Sequence, residues 1–210
     1  MKEKCSSNQN TGLLLPVVEE FYSIQGEGFH AGKAAYFLRL GGCDVGCRWC
    51  DSKYSWDISA IPPVAIEDIL QRIISVGCSD MVITGGEPLL YNVGPLCNEL
   101  KKRNIKTYLE TSGTYPLSGT FDWICLSPKR QAPPLQEMLS VADELKIIVS
   151  DHADFAWAEE NAAKVNSACH LFLQPEWSKI SVVMPQIVEY VLAHTQWKVS
   201  LQMHKYMNIP

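Results

Sequence analysis

The sequence predicts an α/β fold built on a mainly parallel β-sheet. Short β-branched or aromatic runs alternate with stretches of helical periodicity from about residue 35 to residue 201. Parallel neighbours need a crossover of a dozen or more residues, and an intervening helix supplies it. Nearly every apolar run is also followed at once by glycines, cysteines or ionisable residues. In α/β sheets and barrels ligands bind at the carboxyl ends of the strands, so these segments are expected to converge on one site.

Residues 1–12 are polar and rich in Ser, Asn and Gln, which predicts a disordered tail ahead of a single domain over 13–210. Strands are expected at 35–40, 81–84, 105–109, 123–126, 145–149, 171–173 and 198–201. Ile66, Ile69, Leu70, Ile73 and Ile74 share one face of a helix over 64–76, and Val182, Ile187, Val188, Val191 and Leu192 mark another over 181–194. Weaker helical patterns cover 95–103, 135–141 and 155–165. The stretch between Cys50 and Gly85 has room for one helix.

Hydrophobic residues make up 47% and charged residues 20%, which places the 210-residue chain among globular proteins and outside the disordered and coiled-coil classes. A formal net charge of −5 argues against a protein that wraps nucleic acid through phosphate contacts. The basic run Lys101-Lys102-Arg103 falls at a predicted helix C-terminus, where cations complement the dipole, so it reads as a solvated face. No apolar window approaches the roughly 18 residues of a membrane span. The N-terminus lacks the apolar core of an export signal, so the eight cysteines are read as reduced thiols in the cytoplasm.

Three of those cysteines, Cys43, Cys47 and Cys50, form a CxxxCxxC loop with Gly41, Gly42 and Gly46 around it. A structural zinc site takes four protein ligands, and only His30 offers itself as a fourth. A 4Fe-4S cluster held by three thiolates keeps one iron open for a ligand, which favours catalysis. A redox or chance grouping of the thiols is the third alternative. Downstream, one strand runs into Gly85-Gly86-Glu87-Pro88.

CxxxCxxC followed by GGEP resembles the radical S-adenosylmethionine superfamily. Further segments narrow the match: Ser23-Ile24-Gln25-Gly26-Glu27-Gly28, Arg39, Asp51-Ser52 after the cysteines, Glu110-Thr111-Ser112-Gly113-Thr114, Ser127-Pro128-Lys129, Leu173-Gln174-Pro175-Glu176 and Gln202-Met203-His204-Lys205-Tyr206. Together they resemble the family of 7-carboxy-7-deazaguanine synthases from about Val17 onward. The resemblance implies a partial βα barrel and a homodimer. It implies radical-mediated ring contraction of 6-carboxy-5,6,7,8-tetrahydropterin to 7-carboxy-7-deazaguanine with loss of ammonia, in queuosine and related deazapurine biosynthesis. It also implies a 4Fe-4S cluster, S-adenosylmethionine, Mg2+ and an external electron donor of the flavodoxin or ferredoxin type. A glycyl-radical activase and a non-catalytic zinc or iron–sulfur protein are the rival readings.

By that resemblance Cys43, Cys47 and Cys50 hold the cluster, and Ser52, which stands where many relatives carry threonine, offers a hydroxyl to Mg2+. Trp49, Cys50, Asp51, Gly86, Ser127, Pro128, Lys129, Gln174, Pro175, Glu176 and Trp177 match the cofactor contacts. Ile24, Gln25, Gly26, Arg39, Thr84 and Pro210 match substrate contacts, with Glu110 and His204 ranked below them. A strand-end arginine suits a substrate carboxylate because its guanidinium offers a paired donor fork, although an ion pair to Glu19, Glu20 or Glu27 would satisfy it too. The α-carboxylate of Pro210 is expected to turn back into the pocket and accept from the amino-pyrimidinone edge of the pterin.

Overall fold

The computed structural model describes residues 11–210, so the expected tail lies outside the described residues as far as position 10. Among the described residues nine strands are present: β1 (Leu14–Ile24), β2 (Ala34–Leu40), β3 (Pro63–Ala65), β4 (Asp80–Gly85), β5 (Lys106–Thr111), β6 (Trp123–Leu126), β7 (Glu144–Val149), β8 (His170–Pro175) and β9 (Trp197–Val199). The helices are α1 (Ile66–Val76), α2 (Gly94–Lys102), α3 (Gln136–Val141), α4 (Ala153–Ala162), α5 (Ile180–Ala193) and α6 (Met203–Met207). All nine strands form one open sheet in the order β3-β1-β2-β4-β5-β6-β7-β8-β9. From β2 to β9 each neighbouring pair is parallel. The fold is the expected α/β partial barrel with a mainly parallel sheet.

Strands β1 and β3 and the short helix α6 were not anticipated. The long strand β1 runs antiparallel to β2, and the three-residue β3 pairs antiparallel with its start, Leu15 opposite Val64. The helix expected from residue 64 therefore begins at Ile66, after Pro63, Val64 and Ala65 have been drawn into the sheet. It ends at Gly77, whose φ of 71° is the left-handed cap that glycine favours. Lys102 and Arg103, from the basic run, pair with Glu99 near the end of α2. No helix among the described residues is long and apolar enough to cross a membrane.

Alternation along the parallel strands separates two faces. Leu38, Leu40, Met81 and Ile83 point outward and pack with Ile69, Ile73, Leu96 and Leu100 of α1 and α2. Leu126, Leu145, Ile147 and Leu173 pack with Met138, Phe155 and Ile187 of α3, α4 and α5 and with Trp197. Each such aliphatic side chain contributes about 1.5–3 kcal/mol on burial. The other face carries Phe37, Arg39, Val82, Thr84, Glu110, Lys146 and Gln174, all lining one cavity. Strands covered on both sides usually read as unbroken apolar runs, so the polar and charged residues among these inward positions mark an interior built for a ligand.

The loop between β1 and β2 closes the amino-terminal end of that interior. Phe29 stacks on Trp123 and meets His170, with ring centroids 4.6 and 4.5 Å apart, and its amide donates to Glu144 Oε2 at 3.1 Å. Gly28 N donates to Ser200 Oγ at 2.9 Å. Trp123, Glu144 and His170 are the first residues of β6, β7 and β8, so one loop bridges the strand starts and leaves their carboxyl ends open.

Candidate active site

After β2 the chain turns through Gly41 and Gly42 into the cysteine loop, and that turn is tied to the loop after β4. Gly86 N donates to Leu40 O at 2.9 Å and Glu87 N to Gly42 O at 2.8 Å. A Cβ on Gly86 would lie 2.2 Å from Gly42 O and 2.8 Å from Cys43 Cβ, so only glycine allows the two loops to touch. Glu87, 1% exposed, fastens the same junction to the loop after β5. Its carboxylate accepts from Leu89 N at 3.0 Å, Thr111 Oγ1 at 2.7 Å and Ser112 N at 2.9 Å. It is a buried tie between loops.

Cys43, Cys47 and Cys50 all line the cavity, which measures about 380 Å³ and extends over the carboxyl ends of the strands. Burial raises the thiol pKa of Cys43, opposed by the amides of Val45 and Gly46. Burial raises that of Cys47 too, opposed by the nearby Lys129 ammonium and by Gln131, whose Nε2 donates to Cys47 Sγ at 3.3 Å. These donors aim at sulfur as they would to steady thiolates. Ser52, 8% exposed, has its Oγ 3.6 Å from Cys50 Sγ. His30, the candidate fourth ligand for zinc, lines a different cavity.

Around the cysteine loop stand the other residues read as cofactor contacts. Lys129 Nζ donates to Ser127 Oγ at 2.7 Å and lies 5.4 Å from the Trp49 ring, and burial lowers its pKa. Gln174 is 2% exposed and its Oε1 accepts from Ser200 Oγ at 2.7 Å. Glu176 accepts from Ser178 N at 3.0 Å, capping the turn that presents Trp177. Asp51 Oδ2 accepts from Gln202 Nε2 and Lys205 Nζ at 3.2 and 3.1 Å. Trp49, Asp51, Gly86, Ser127, Lys129, Gln174, Pro175, Glu176 and Trp177 all line the cavity, whereas Pro128 is buried and does not.

The residues read as substrate contacts line it as well: Ile24, Gln25, Gly26, Arg39, Thr84, Glu110, His204 and Pro210. Arg39 makes the ion pair that was the second expectation for it, Nε to Glu19 Oε1 at 2.6 Å, and its side chain also lines the cavity. A Cβ on Gly26 would fall 2.3 Å from His204 Nδ1, so glycine is needed for α6 to close over the end of β1. Met203 N donates to Gly26 O at 2.9 Å, and Pro210 O accepts from Ser23 Oγ at 3.1 Å. Burial lowers the His204 pKa.

Sequence reasoning missed the ionic floor. Lys146, 4% exposed at its side chain, sits 2.7 Å from Glu27 Oε2 and 2.9 Å from Glu110 Oε2. Gln25 Nε2 donates to Glu110 Oε1 at 3.3 Å and Gln202 Nε2 to Glu27 Oε1 at 2.9 Å. Burial alone would raise the Glu27 carboxyl, but the Lys146 ammonium and the amide donors of Gln202 and Gln174 bring it down to about 2. The available signal was the lone lysine between apolar neighbours in Leu145-Lys146-Ile147.

Residues 38–139 match the Radical SAM superfamily. The 7-carboxy-7-deazaguanine synthase of Flavobacterium psychrophilum is 51% identical over 95% of this chain and 94% of its own length. That of Synechocystis is 46% identical over 92% and 93%. The crystal structure of QueE from Escherichia coli superimposes with a TM-score of 0.81 at 31% identity, covering 96% of this chain and all of that one. With the cysteine loop, the GGEP turn and the strand-end residues gathered on one cavity, the chain belongs to the 7-carboxy-7-deazaguanine synthase family of radical S-adenosylmethionine enzymes.

Proposed function

We propose that this enzyme contracts 6-carboxy-5,6,7,8-tetrahydropterin to 7-carboxy-7-deazaguanine with loss of ammonia, in queuosine and related 7-deazapurine biosynthesis. The observation that carries the reading is a single cavity lined on one wall by three thiols and on its floor by Glu27, Glu110 and Lys146. Three cysteines within one loop, with amide donors directed at two of their sulfurs and the Lys129 charge near one, fit a three-thiolate cluster. When bound, the 4Fe-4S cluster and S-adenosylmethionine supply one electron and a hydrogen-abstracting 5′-deoxyadenosyl radical.

The protein's own residues bind, orient and shield. Cys43, Cys47 and Cys50 hold the cluster; Gly86, Ser127, Lys129, Gln174 and the Glu176–Trp177 turn cradle the cofactor, with Trp49 and Asp51 beside them. Arg39 keeps Nη2 for the substrate carboxylate after Nε has donated to Glu19 and Nη1, at 3.5 Å, to Gly85 O. Gln25, Glu110, His204 and Pro210 surround the amino-pyrimidinone edge, whose donors suit carboxylate and carbonyl acceptors. Ile24, Gly26 and Thr84 shape the wall. Ser52 Oγ would be the protein ligand for Mg2+, which would supply charge stabilisation during the reaction.

The reading includes a cytoplasmic homodimer reduced by a flavodoxin- or ferredoxin-type donor. Seven free cysteines among the described residues support a reducing compartment, and Val182, Val188 and Leu192, exposed on α5, support an apolar contact between copies. The half-exposed Trp49 and exposed Arg48 beside the cluster loop support docking of an acidic donor there. The test is anaerobic reconstitution followed by turnover with the pterin, S-adenosylmethionine and a low-potential reductant. Equimolar ammonia and deazaguanine are expected, and a reconstituted enzyme that cleaves S-adenosylmethionine yet leaves the pterin unchanged defeats the assignment.

A further inference from the structure

Beneath the catalytic cavity lies a second, smaller one, with about 10 Å³ open to the centre of a water molecule, enough for roughly one water. It shares Gln25, Glu27, Val82 and Glu110 with the catalytic cavity and is otherwise lined by residues that the reaction has not used, among them His30, Lys33, Tyr108 and Glu144. Two buried polar atoms on these residues have no protein partner among the described residues: His30 Nε2 and Glu144 Oε1. Glu144 is 2% exposed, and its other oxygen is fixed by Phe29 N and Trp123 Nε1, each at 3.1 Å. Trp123 also meets the His30 ring edge-on, with centroids 4.7 Å apart. Both orphaned atoms belong to rings or carboxylates held rigidly by the loop that seals the strand starts.

We propose that one ordered water bridges His30 Nε2 and Glu144 Oε1, and that these two residues relay a proton from solvent to Glu110 at the floor of the catalytic cavity. The proposal rests on the ring-contraction reading, because loss of ammonia supplies its purpose. When the carbon–nitrogen bond breaks, the electron pair goes to nitrogen, which must take up a proton. The relay passes that proton on and is refilled from water, so no electron leaves or enters the chain. On the solvent side the Lys33 ammonium, 39% exposed at the side chain, bonds Tyr108 Oη and Asp80 Oδ1, each at 2.6 Å, and the Tyr108 ring meets the His30 ring edge-on with centroids 4.8 Å apart. The inner end of the relay is Glu110, one of the residues that line both cavities. Burial raises the Glu144 pKa and lowers that of His30, which draws donor and acceptor toward each other as an efficient relay requires.

Two near-isosteric variants test it. Glu144→Gln keeps an acceptor for Phe29 N and Trp123 Nε1 but cannot exchange a proton, and His30→Phe keeps the ring contacts without the nitrogen. Both are expected to cleave S-adenosylmethionine normally in the absence of pterin and to release ammonia more slowly by about 10²-fold in single turnover. The solvent deuterium isotope effect on ammonia release is expected to change with them. Ammonia release at the wild-type rate and with the wild-type isotope effect in both variants overturns the relay. A high-resolution crystal structure gives a check independent of turnover: density for a water within hydrogen-bond reach of both atoms supports the proposal, and its absence overturns it. A wild-type enzyme that releases no ammonia from the pterin defeats the functional reading instead, leaving the bridging water to be judged by the crystal structure.

Discussion

Replacing Lys146 by methionine removes one ammonium from between two carboxylates while nearly keeping its volume. Glu27 and Glu110, 18% and 22% exposed at their side chains, then face each other with no counter-charge. The Glu27 carboxyl, lowered from the usual 4.5 to about 2, is worth roughly 3 kcal/mol at neutral pH at about 1.4 kcal/mol per pH unit. Breaking a buried pair by deleting one partner costs about 3–5 kcal/mol by general experience, which agrees. For a chain of this size that is a fall in Tm of roughly 6–20 °C. In the wild type the Glu27 contribution is present above about pH 4.5 and is lost as pH falls through about 2. In Lys146→Met only the Gln202 and Gln174 amides still oppose burial, so the carboxyl rises from its wild-type value and the variant's deficit shrinks on acidification. Urea unfolding of the reconstituted protein, followed by circular dichroism across the acid range, measures both effects. Adding Glu27→Gln to Lys146→Met is expected to recover part of the loss. A deficit below about 1 kcal/mol at neutral pH, the scale of an exposed pair, or one that is the same near pH 4.5 as at pH 7, refutes the reasoning.

Cys47→Ala is expected to abolish iron uptake, while Cys97→Ala, at a core thiol 2% exposed and pushed by burial to about 12, keeps it in full; iron and sulfide analysis decides. Glu87→Ala strands the amides of Leu89 and Ser112 and the Thr111 hydroxyl without their acceptor and costs about 3 kcal/mol or more in urea unfolding. Ser52→Ala is expected to keep the cluster and S-adenosylmethionine cleavage but to lose Mg2+ stimulation of product formation, and a variant still stimulated would free Ser52 of that role.

The strands and helices that declare themselves by period are the ones legible from sequence. Met81, Ile83, Leu145 and Ile147 alternate with inner-face residues, and Ile66, Ile69, Leu70 and Ile73 repeat at helical spacing, because each set answers to one nearby packing surface. Strand β1 answers to none: it is mostly half-buried, and it is held by β2 and by a three-residue β3 some fifty positions downstream. The site motifs were legible for a different reason, since chemistry fixes residue type at the ends of successive strands. What those residues bond to was not. Glu87 finds Thr111 and Ser112 across 24 and 25 positions, and Lys146 finds Glu27 across 119. No local pattern encodes such partners; they exist only once the crossovers have laid the strands side by side.

An open sheet has two edges and an unclosed interior, and the way this chain handles both explains where its least readable residues lie. The edge strands β3 and β9 are three residues each, too short to template pairing with another chain. The interior is sealed at the strand starts by the β1–β2 loop, whose Phe29 covers Trp123 and His170 while Gln25 and Glu27 reach up to the ionic floor. One short loop therefore belongs to the plug at one end and to the catalytic cavity at the other. That double duty accounts for a polar, glycine-bearing segment that resembles an ordinary turn in sequence. It also explains why the carboxylates there are tolerated: the plug excludes water from Lys146, and the lysine compensates the charge that exclusion would otherwise leave bare.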